Sequence, residues 1–349
     1  MSKRTSEAAS LSPIEAEASS SKKANVNPAA ALFDTNNNPV IVGTATTQGE
    51  RDDMYDRHVV QTELRKCAPV LCDISRMSYF ALFDGHAGCA AATFACDTFL
   101  KKLPQLCEKY SAPSYSGPVL VKNVKKIFVN MFKDVEEDFL VQARSSTPPL
   151  KDGSTATLLL LIDDYLYTAN LGDTRAVLAR KKTNEAGETV YLAMPITVDH
   201  TPMKAEEQAR IRKAGGFIKD GRVQGVIEIS RSIGDFAYKA FGLCAQPDIQ
   251  KVCLSLADKF VILACDGLWN VFTNDEAVTF VVRKIRAGIH KINDDENRHV
   301  SRTNPNFSPL KNALLCSAAT DLMKAAIARG SKDNITIILI GFKTAMLDM

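Results

Sequence analysis

Hydrophobic residues in this chain occur in two patterns, short continuous runs and longer stretches with a period of about 3.6 residues. The short runs, bounded by turn residues, predict strands at 40–44, 56–61, 78–83, 156–162, 165–170, 175–180, 188–195, 223–229, 260–265 and 334–342. The periodic stretches predict helices at 90–103, 119–143, 204–213, 277–289 and 309–329. We expect Pro104 to end or kink the first helix.

The order of these elements predicts an α+β fold. Many strands follow one another through short turns, whereas regular β-α-β alternation is not evident. Two antiparallel sheets packed face to face, with helices over their outer faces, would bury all of the apolar runs. Two loops stand out: we expect the Gly-rich segment 199–246 to form a flap beside a site, and the polar segment 290–308 to be an exposed insertion.

Residues 1–38 have no hydrophobic period and are rich in Ser, Ala, Asn, Glu and Lys. We interpret them as a disordered tail that precedes one folded domain at 39–345. Two basic pairs in the tail, Lys3-Arg4 and Lys22-Lys23, are either weak nuclear-import or docking elements or solvated charges.

The charge balance and the cysteines narrow the class of protein. Formal net charge is only +3 and no basic stripe with interleaved aromatic residues occurs, so a nucleic-acid partner is not supported. The nine cysteines include no CxxC pair, and several lie in apolar runs, which is typical of reduced thiols inside a cell. The chain start has no apolar core of a secretion signal, and no apolar run is long enough to span a membrane. We therefore expect a cytoplasmic protein, with nuclear access also open, and no membrane partner.

Two of the apolar runs end directly at Asp-Gly, as Asp84-Gly85 and Asp266-Gly267. A carboxylate at the rim of a core requires a partner or a metal, because an isolated buried charge is unfavourable. Asp56 and Asp333 lie beside two other predicted strands. Any single Asp-Gly is more often an ordinary turn, but the four aspartates together predict a two-metal hydrolytic site. Oxygen ligands favour Mg²⁺ or Mn²⁺ over Zn²⁺, since the five histidines do not pair at zinc-ligand spacing.

Two further side chains near these aspartates have chemistry suited to phosphate. The guanidinium of Arg51 matches a phosphate bidentately, although a surface pair with Asp52 or Asp53 is an equal alternative. His86 follows Asp84-Gly85 and either donates a proton to a leaving oxygen or only orients a neighbour.

These residues stand in motifs that resemble those of the metal-dependent serine/threonine phosphatases of type 2C. The motifs occur in the family's order over about 40–342, at 49–56, 83–88, 152–156, 169–176, 199–202, 214–216, 230–236, 264–269 and 331–334. The resemblance implies a central β-sandwich flanked by pairs of antiparallel helices, with the site at one end of the sandwich. Segments 151–156 and 220–235 are most similar to a kinase-associated branch, which implies a kinase or kinase-associated complex as a partner.

The resemblance also implies a role for each site residue. Asp84 would bridge two metal ions, Asp266 and Asp333 would hold one of them, and Asp56 with the Gly85 carbonyl would support the other. Arg51 would bind the substrate phosphate, and His86 would be the general acid. No phospho-enzyme forms in this scheme, so Cys265 is not a nucleophile.

Two positions depart from the family's pattern. Tyr55 replaces a usual Glu, and Asn270 replaces a frequent Asp that, with Asp173, would help to hold a weaker third metal. Asn keeps an oxygen but loses the charge, and Tyr supplies no carboxylate at neutral pH. We expect a functional two-metal core with weakened outer binding. Tyr55→Glu and Asn270→Asp should therefore shift the Mg²⁺ or Mn²⁺ activation curve to lower concentration, and an unchanged curve would refute this expectation.

The leading hypothesis is therefore an active phosphoprotein phosphatase, expected to be a monomer that acts in kinase signalling. A catalytically weak pseudophosphatase that recruits phosphoproteins or kinases is the alternative, kept open by Tyr55 and Asn270. A small-molecule phosphomonoesterase requires a deep closed pocket, which a flap at 199–246 does not favour.

Overall fold

Two five-stranded antiparallel sheets form the centre of the fold in the computed structural model. The structure describes residues 40–64, 74–112, 116–299 and 307–342, so the predicted tail 1–38 lies outside the described residues. The first sheet contains, in spatial order, β1 (Val40–Thr47), β15 (Ile335–Phe342), β14 (Asp258–Ala264), β8 (Arg175–Thr183) and β9 (Thr189–Pro195). The second contains β13 (Asp248–Cys253), β7 (Tyr165–Leu171), β6 (Ala156–Ile162), β3 (Met77–Phe83) and β2 (Arg57–Gln61).

Helices cover the outer face of each sheet. The second sheet carries α1 (Ala90–Ser111) and α2 (Gly117–Ser145), and the first carries α5 (Asn274–His299) and α6 (Phe307–Ala328). The short connection within each pair makes its helices antiparallel. Shorter elements are the helices α3 (Ala205–Lys213) and α4 (Asp266–Trp269), a 3₁₀ helix (Phe236–Phe241), and the strands β4 (Gly85–His86), β5 (Gly153–Ser154), β10 (Ile218–Lys219), β11 (Arg222–Val223) and β12 (Ile233–Gly234).

Side-chain alternation explains why whole strands are apolar. In β3, Phe80 and Leu82 lie between the two sheets, whereas Tyr79, Ala81 and Phe83 pack against α1 and α2. Strands buried on both faces read as continuous apolar runs rather than as alternating ones. The predicted α+β fold with a central β-sandwich and flanking helix pairs is therefore confirmed.

Several predicted boundaries were wrong. Helix α1 continues through Pro104 to Ser111, because Leu103 and Cys107 remain packed in the core on either side of the proline. Helix α5 continues to His299, so the first part of the predicted exposed insertion 290–308 is helical. Residues 300–306 of that segment lie outside the described residues.

Two strand predictions also differ from the structure. Strand β13 was missed, since its residues are half-buried or exposed at the sheet edge and carry polar side chains. The predicted strand 223–229 is not formed, because Gln224 and Gly225 adopt left-handed φ of 54° and 70° and turn the chain.

Among the described residues, no helix combines the length and the apolar character that crossing a bilayer requires.

A buried ion-pair network attaches the flap 199–246 to the sandwich. Glu207 of α3 is 2% exposed and accepts hydrogen bonds from Arg210, Arg231 and Ser230. Arg231 also donates to Asp248 on the edge strand β13 at 2.8 Å. Burial opposes the charge of Glu207, but these donors outweigh it and lower the pKa of Glu207 to about 2.

Glu207→Gln should destabilise the protein by about 3 kcal/mol at pH 7, since the pKa lies well below its ordinary value in the folded state. A carboxylate whose pKa is lower in the folded state than in the unfolded state stabilises the fold at pH values above its unfolded-state pKa. The contribution should therefore be constant above about pH 4.5 and shrink as pH falls toward 2. Urea unfolding across this pH range measures the effect, with Glu206→Gln on the exposed face of α3 as the matched control. A difference from wild type that does not change with pH would contradict this account.

Candidate metal and phosphate site

The strand pairing brings the predicted aspartates to one end of the sandwich. Asp56 precedes β2 and Asp84 follows β3, and these strands pair with Arg57 opposite Phe83. Likewise, β14 ends before Asp266 and β15 begins after Asp333, and they pair with Ala264 opposite Ile337. Thr336 of the first sheet donates to Asp56 of the second at 2.6 Å, so the two pairs meet across the sandwich.

These strand ends border a cleft of about 360 Å³. Its lining includes most of the predicted site residues, namely Arg51, Asp84, Gly85, His86, Asp173, Asp266 and Asp333. Asp56 is 4% exposed and lies outside this lining. Asn270 also lies outside it, but its Nδ2 donates to Asp266 Oδ2 at 3.0 Å.

The buried carboxylate of Asp56 has one satisfied and one unsatisfied oxygen. Oδ2 accepts from Thr336, whereas Oδ1 has no hydrogen-bond partner among the described residues. Potential ligand atoms of Asp56, Asp84 and Cys265 lie within 4.8 Å of one another. Burial raises the pKa of Asp56 to about 6, and the charges of Asp266 and Asp333 act in the same direction.

Three further carboxylates, those of Asp84, Asp173 and Asp266, also have raised pKa values. Burial, followed by the charges of Asp56 and Asp266, raises the pKa of Asp84 well above its ordinary value. Burial, followed by the charge of Asp333, raises the pKa of Asp266. Burial and the charges of Asp266 and Asp199 raise the pKa of Asp173 to about 7. The aspartates supply oxygen donors, one of them buried and without a hydrogen-bond partner among the described residues, and such donors fit a hard divalent cation, which would relieve this repulsion.

The glycine of each Asp-Gly pair is required for close packing rather than for a left-handed turn. Neither Gly85 nor Gly267 has a positive φ. A Cβ on Gly85 would lie 2.9 Å from the backbone oxygen of Tyr55, and one on Gly267 would lie 2.1 Å from the backbone oxygen of Asn334. Only glycine therefore allows these strand ends to approach closely enough for the aspartates to share one cleft.

Arg51 extends over the cleft from the loop after β1. Its Nη2 donates to Asp333 Oδ2 at 2.6 Å, so the alternative of a pair with Asp52 or Asp53 is wrong. The Arg51 side chain is 61% exposed and is thus accessible to a ligand in the cleft.

His86 is held by a residue that the sequence interpretation did not single out. Nε2 of His86 lies 2.8 and 2.9 Å from the two carboxylate oxygens of Asp235, which is 1% exposed. Ser232 donates to the same carboxylate at 2.6 Å, and Asp235 adopts a left-handed φ of 51°. Burial opposes the charge of His86, but the hydrogen bond and charge of Asp235 outweigh it and raise the pKa of His86. The sequence did contain a signal for Asp235. The dipeptide Gly234-Asp235 follows an apolar residue, as the two Asp-Gly pairs do, but its glycine comes before its aspartate.

Tyr55 and Asn270, the two departures from the family's pattern, both lie next to the aspartates. The backbone N–H of Tyr55 donates to Asn334 at 2.7 Å, and the Tyr55 side chain lines the cleft.

Cys265 is fully buried, and burial raises the pKa of its thiol well above the ordinary value. An uncharged, inaccessible thiol agrees with the prediction that Cys265 is not a nucleophile.

Comparison with known proteins agrees with this geometry. A family model described as "Protein phosphatase 2C" matches residues 41–335. The integrin-linked kinase-associated serine/threonine phosphatase 2C of Bos taurus is 41% identical over 297 residues, which cover 85% of this chain and 75% of that protein. Probable protein phosphatase 2C 8 of Arabidopsis thaliana is 34% identical, covering 86% and 78%.

The fold is also similar to a solved structure. The serine-threonine phosphatase 2C from Toxoplasma gondii superposes with a TM-score of 0.65 at 20% identity, covering 88% of this chain and 96% of that one. With the family model matching most of the chain, these findings show that the protein belongs to the protein phosphatase 2C family and is a serine/threonine protein phosphatase.

Proposed function

We propose that this phosphatase hydrolyses phosphoserine and phosphothreonine in proteins with the help of two Mg²⁺ or Mn²⁺ ions. The observation that carries the proposal is the convergence of four aspartates from two sheets, with Asp56 Oδ1 unpaired in the core. When bound, such ions neutralise phosphoryl charge and lower the pKa of a water molecule, which makes it a nucleophile at neutral pH.

Each site residue has a distinct task in this proposal. Asp84 would bridge the two ions, and Asp266 and Asp333 would hold one of them. Asp56 and the carbonyl of Gly85 would support the other. Asp173, with Asn270 bonded to Asp266, would give a weaker third position.

Arg51 and His86 act on the substrate rather than on the ions. The exposed guanidinium of Arg51 binds and orients the phosphate, which it can contact through two N–H groups. Protonated His86 donates its proton to the serine or threonine oxygen as that oxygen leaves. Asp235 stabilises the protonated imidazole and holds its orientation.

The function is tested with phosphoserine and phosphothreonine peptides and the purified full chain. We expect phosphate release with Mn²⁺ or Mg²⁺, none with a chelator, and loss in Asp266→Asn. Calorimetric titration of Mn²⁺ gives a readout that does not depend on turnover and should show weaker binding in the same variant. If the protein binds phosphopeptides and metal but never hydrolyses the peptides, the pseudophosphatase alternative is correct.

His86→Ala should separate substrates by the quality of their leaving group. We expect kcat for a phosphoserine peptide to fall by about 10²-fold, because its alkoxide requires a proton. Hydrolysis of p-nitrophenyl phosphate should fall much less, since nitrophenolate leaves without one. His290→Ala, at an exposed position of α5, is the matched control. An equal loss with both substrates would support the alternative in which His86 only orients its neighbours.

The wider setting follows from the relatives. Because relatives at 41% identity are named as integrin-linked kinase-associated phosphatases, we propose that this protein also acts in kinase signalling beside a kinase or kinase-associated complex. A monomeric state and a cytoplasmic location, with nuclear access, stay predictions from the sequence.

A further inference from the structure

One wall of the cleft is formed by the flap segment 218–229. The residues that it contributes to the lining are Arg222, Val226, Ile227, Glu228 and Ile229. None of them belongs to the aspartate group or is used in the proposed chemistry. The wall therefore faces whatever part of the substrate surrounds the phosphorylated side chain.

Two consecutive tight turns set the backbone path of this wall. Asp220 and Gly221, with φ of 51° and 75°, join β10 to β11 as a two-residue hairpin loop. Gln224 and Gly225 form the second turn, closed by hydrogen bonds between Val223 and the segment 226–227. Backbone hydrogen bonds in both turns therefore define the positions from which the side chains of the wall project.

Alternating burial orients Glu228 away from the flap's own core. Ile227 and Ile229 are 9% and 5% exposed and pack with Val223, Ile211 and Leu243. The side chain of Glu228, between them, is 60% exposed and borders the cleft.

Arg222 holds the carboxylate of Glu228 in position. Its guanidinium bonds to Glu228 Oε1 and donates to the backbone oxygen of Val226 at 3.0 Å. Within the part of the chain that the structure describes, Oε2 of Glu228 accepts no bond. Val226 beside it is 50% exposed and offers an apolar surface.

We propose that Glu228 selects phosphoprotein segments that carry a Lys or Arg close to the phosphorylated residue. Arg222 occupies one oxygen of the Glu228 carboxylate, and the other oxygen is open to a cation that the substrate carries beside its phosphate. Val226 receives the aliphatic stem of that side chain while Oε2 of Glu228 accepts from its charged end. The inference rests on the proposed phosphatase function and names the substrate preference of the same cleft.

The test compares kcat/KM for phosphothreonine peptides in which single positions from −3 to +3 carry Lys or Glu. For wild type, kcat/KM for the Lys peptide should exceed that for the Glu peptide by about five- to tenfold at the position that contacts Glu228. This magnitude is that of an exposed charge pair that attracts one charge and repels the other. Glu228→Gln should reduce the ratio toward one, and Glu228→Lys should invert it. Glu185→Lys, the same charge change in the β8–β9 turn, should leave the ratio at the wild-type value.

Both peptides are compared within one variant, so an effect of the substitution on the chemical step cancels in the ratio of the two kcat/KM values. The wild-type preference should also weaken as salt is raised, because exposed charges are screened. A ratio that Glu228→Lys leaves unchanged overturns the inference while the phosphatase function stands. If wild type hydrolyses none of the peptides with Mn²⁺, the proposed function fails first, and the inference fails with it.

Discussion

Asp84→Asn should abolish peptide dephosphorylation, with kcat reduced on the order of 10³-fold or more. Asp84 is the aspartate whose pKa is raised by burial together with the charges of all the other site aspartates, so it lies at the electrostatic centre of the group. The amide keeps the size and one oxygen of the side chain but removes the charge that would bridge two cations. Steady-state kinetics across a Mn²⁺ titration measure the loss, and excess Mn²⁺ should not restore activity.

The same substitution should stabilise the metal-free protein. Removing one of several buried like charges relieves repulsion, so Tm in the presence of a chelator should rise in Asp84→Asn. Added Mn²⁺ should raise Tm in wild type and much less in the variant. Asp97→Asn, at an exposed position of α1, is the control and should change neither activity nor Tm. Retained activity in Asp84→Asn, or a lower metal-free Tm, would contradict the assigned role.

Gly267→Ala should lower the free energy of unfolding by about 3 kcal/mol or more and weaken metal binding at the same time. The added Cβ would lie 2.1 Å from the backbone oxygen of Asn334, so backbone must move. That movement separates the segment that carries Asp266 from the segment that carries Asp333. Urea unfolding without metal measures the first effect, and calorimetric titration of Mn²⁺ into the folded variant measures the second.

Gly187→Ala distinguishes steric contact from backbone strain. Gly187 has a left-handed φ of 79°, but a Cβ there meets nothing within 4 Å. Its replacement should cost only about 1 kcal/mol and leave metal binding unchanged. If Gly267→Ala is no more destabilising than this control, the two strand ends are not held together by the glycine contact.

The sequence predicted the sandwich, and it singled out most of the charged residues that line the cleft, because both depend on local signals. The strands β3 and β14, which are buried on both faces, contribute to the apolar runs 79–83 and 260–265, and an aspartate follows each run directly. Segments with weaker patterns were predicted less well. Edge strand β13 lacks an apolar run, and the flap's turns depend on left-handed conformations at Gln224 and Asp235 that composition does not reveal.

The sequence by itself determined the order of motifs that marks the family, and it supplied the residue types on which the proposed chemistry rests: oxygen ligands, an arginine suited to phosphate and a histidine suited to proton transfer. Only the tertiary structure decided which groups meet. Arg51 pairs with Asp333, 282 positions away, and His86 pairs with Asp235, 149 positions away. It also showed that Gly85 and Gly267 permit close approach rather than a turn. The physical reason is that charge, polarity and periodicity belong to individual residues, whereas distances between distant segments arise only when the two sheets pack.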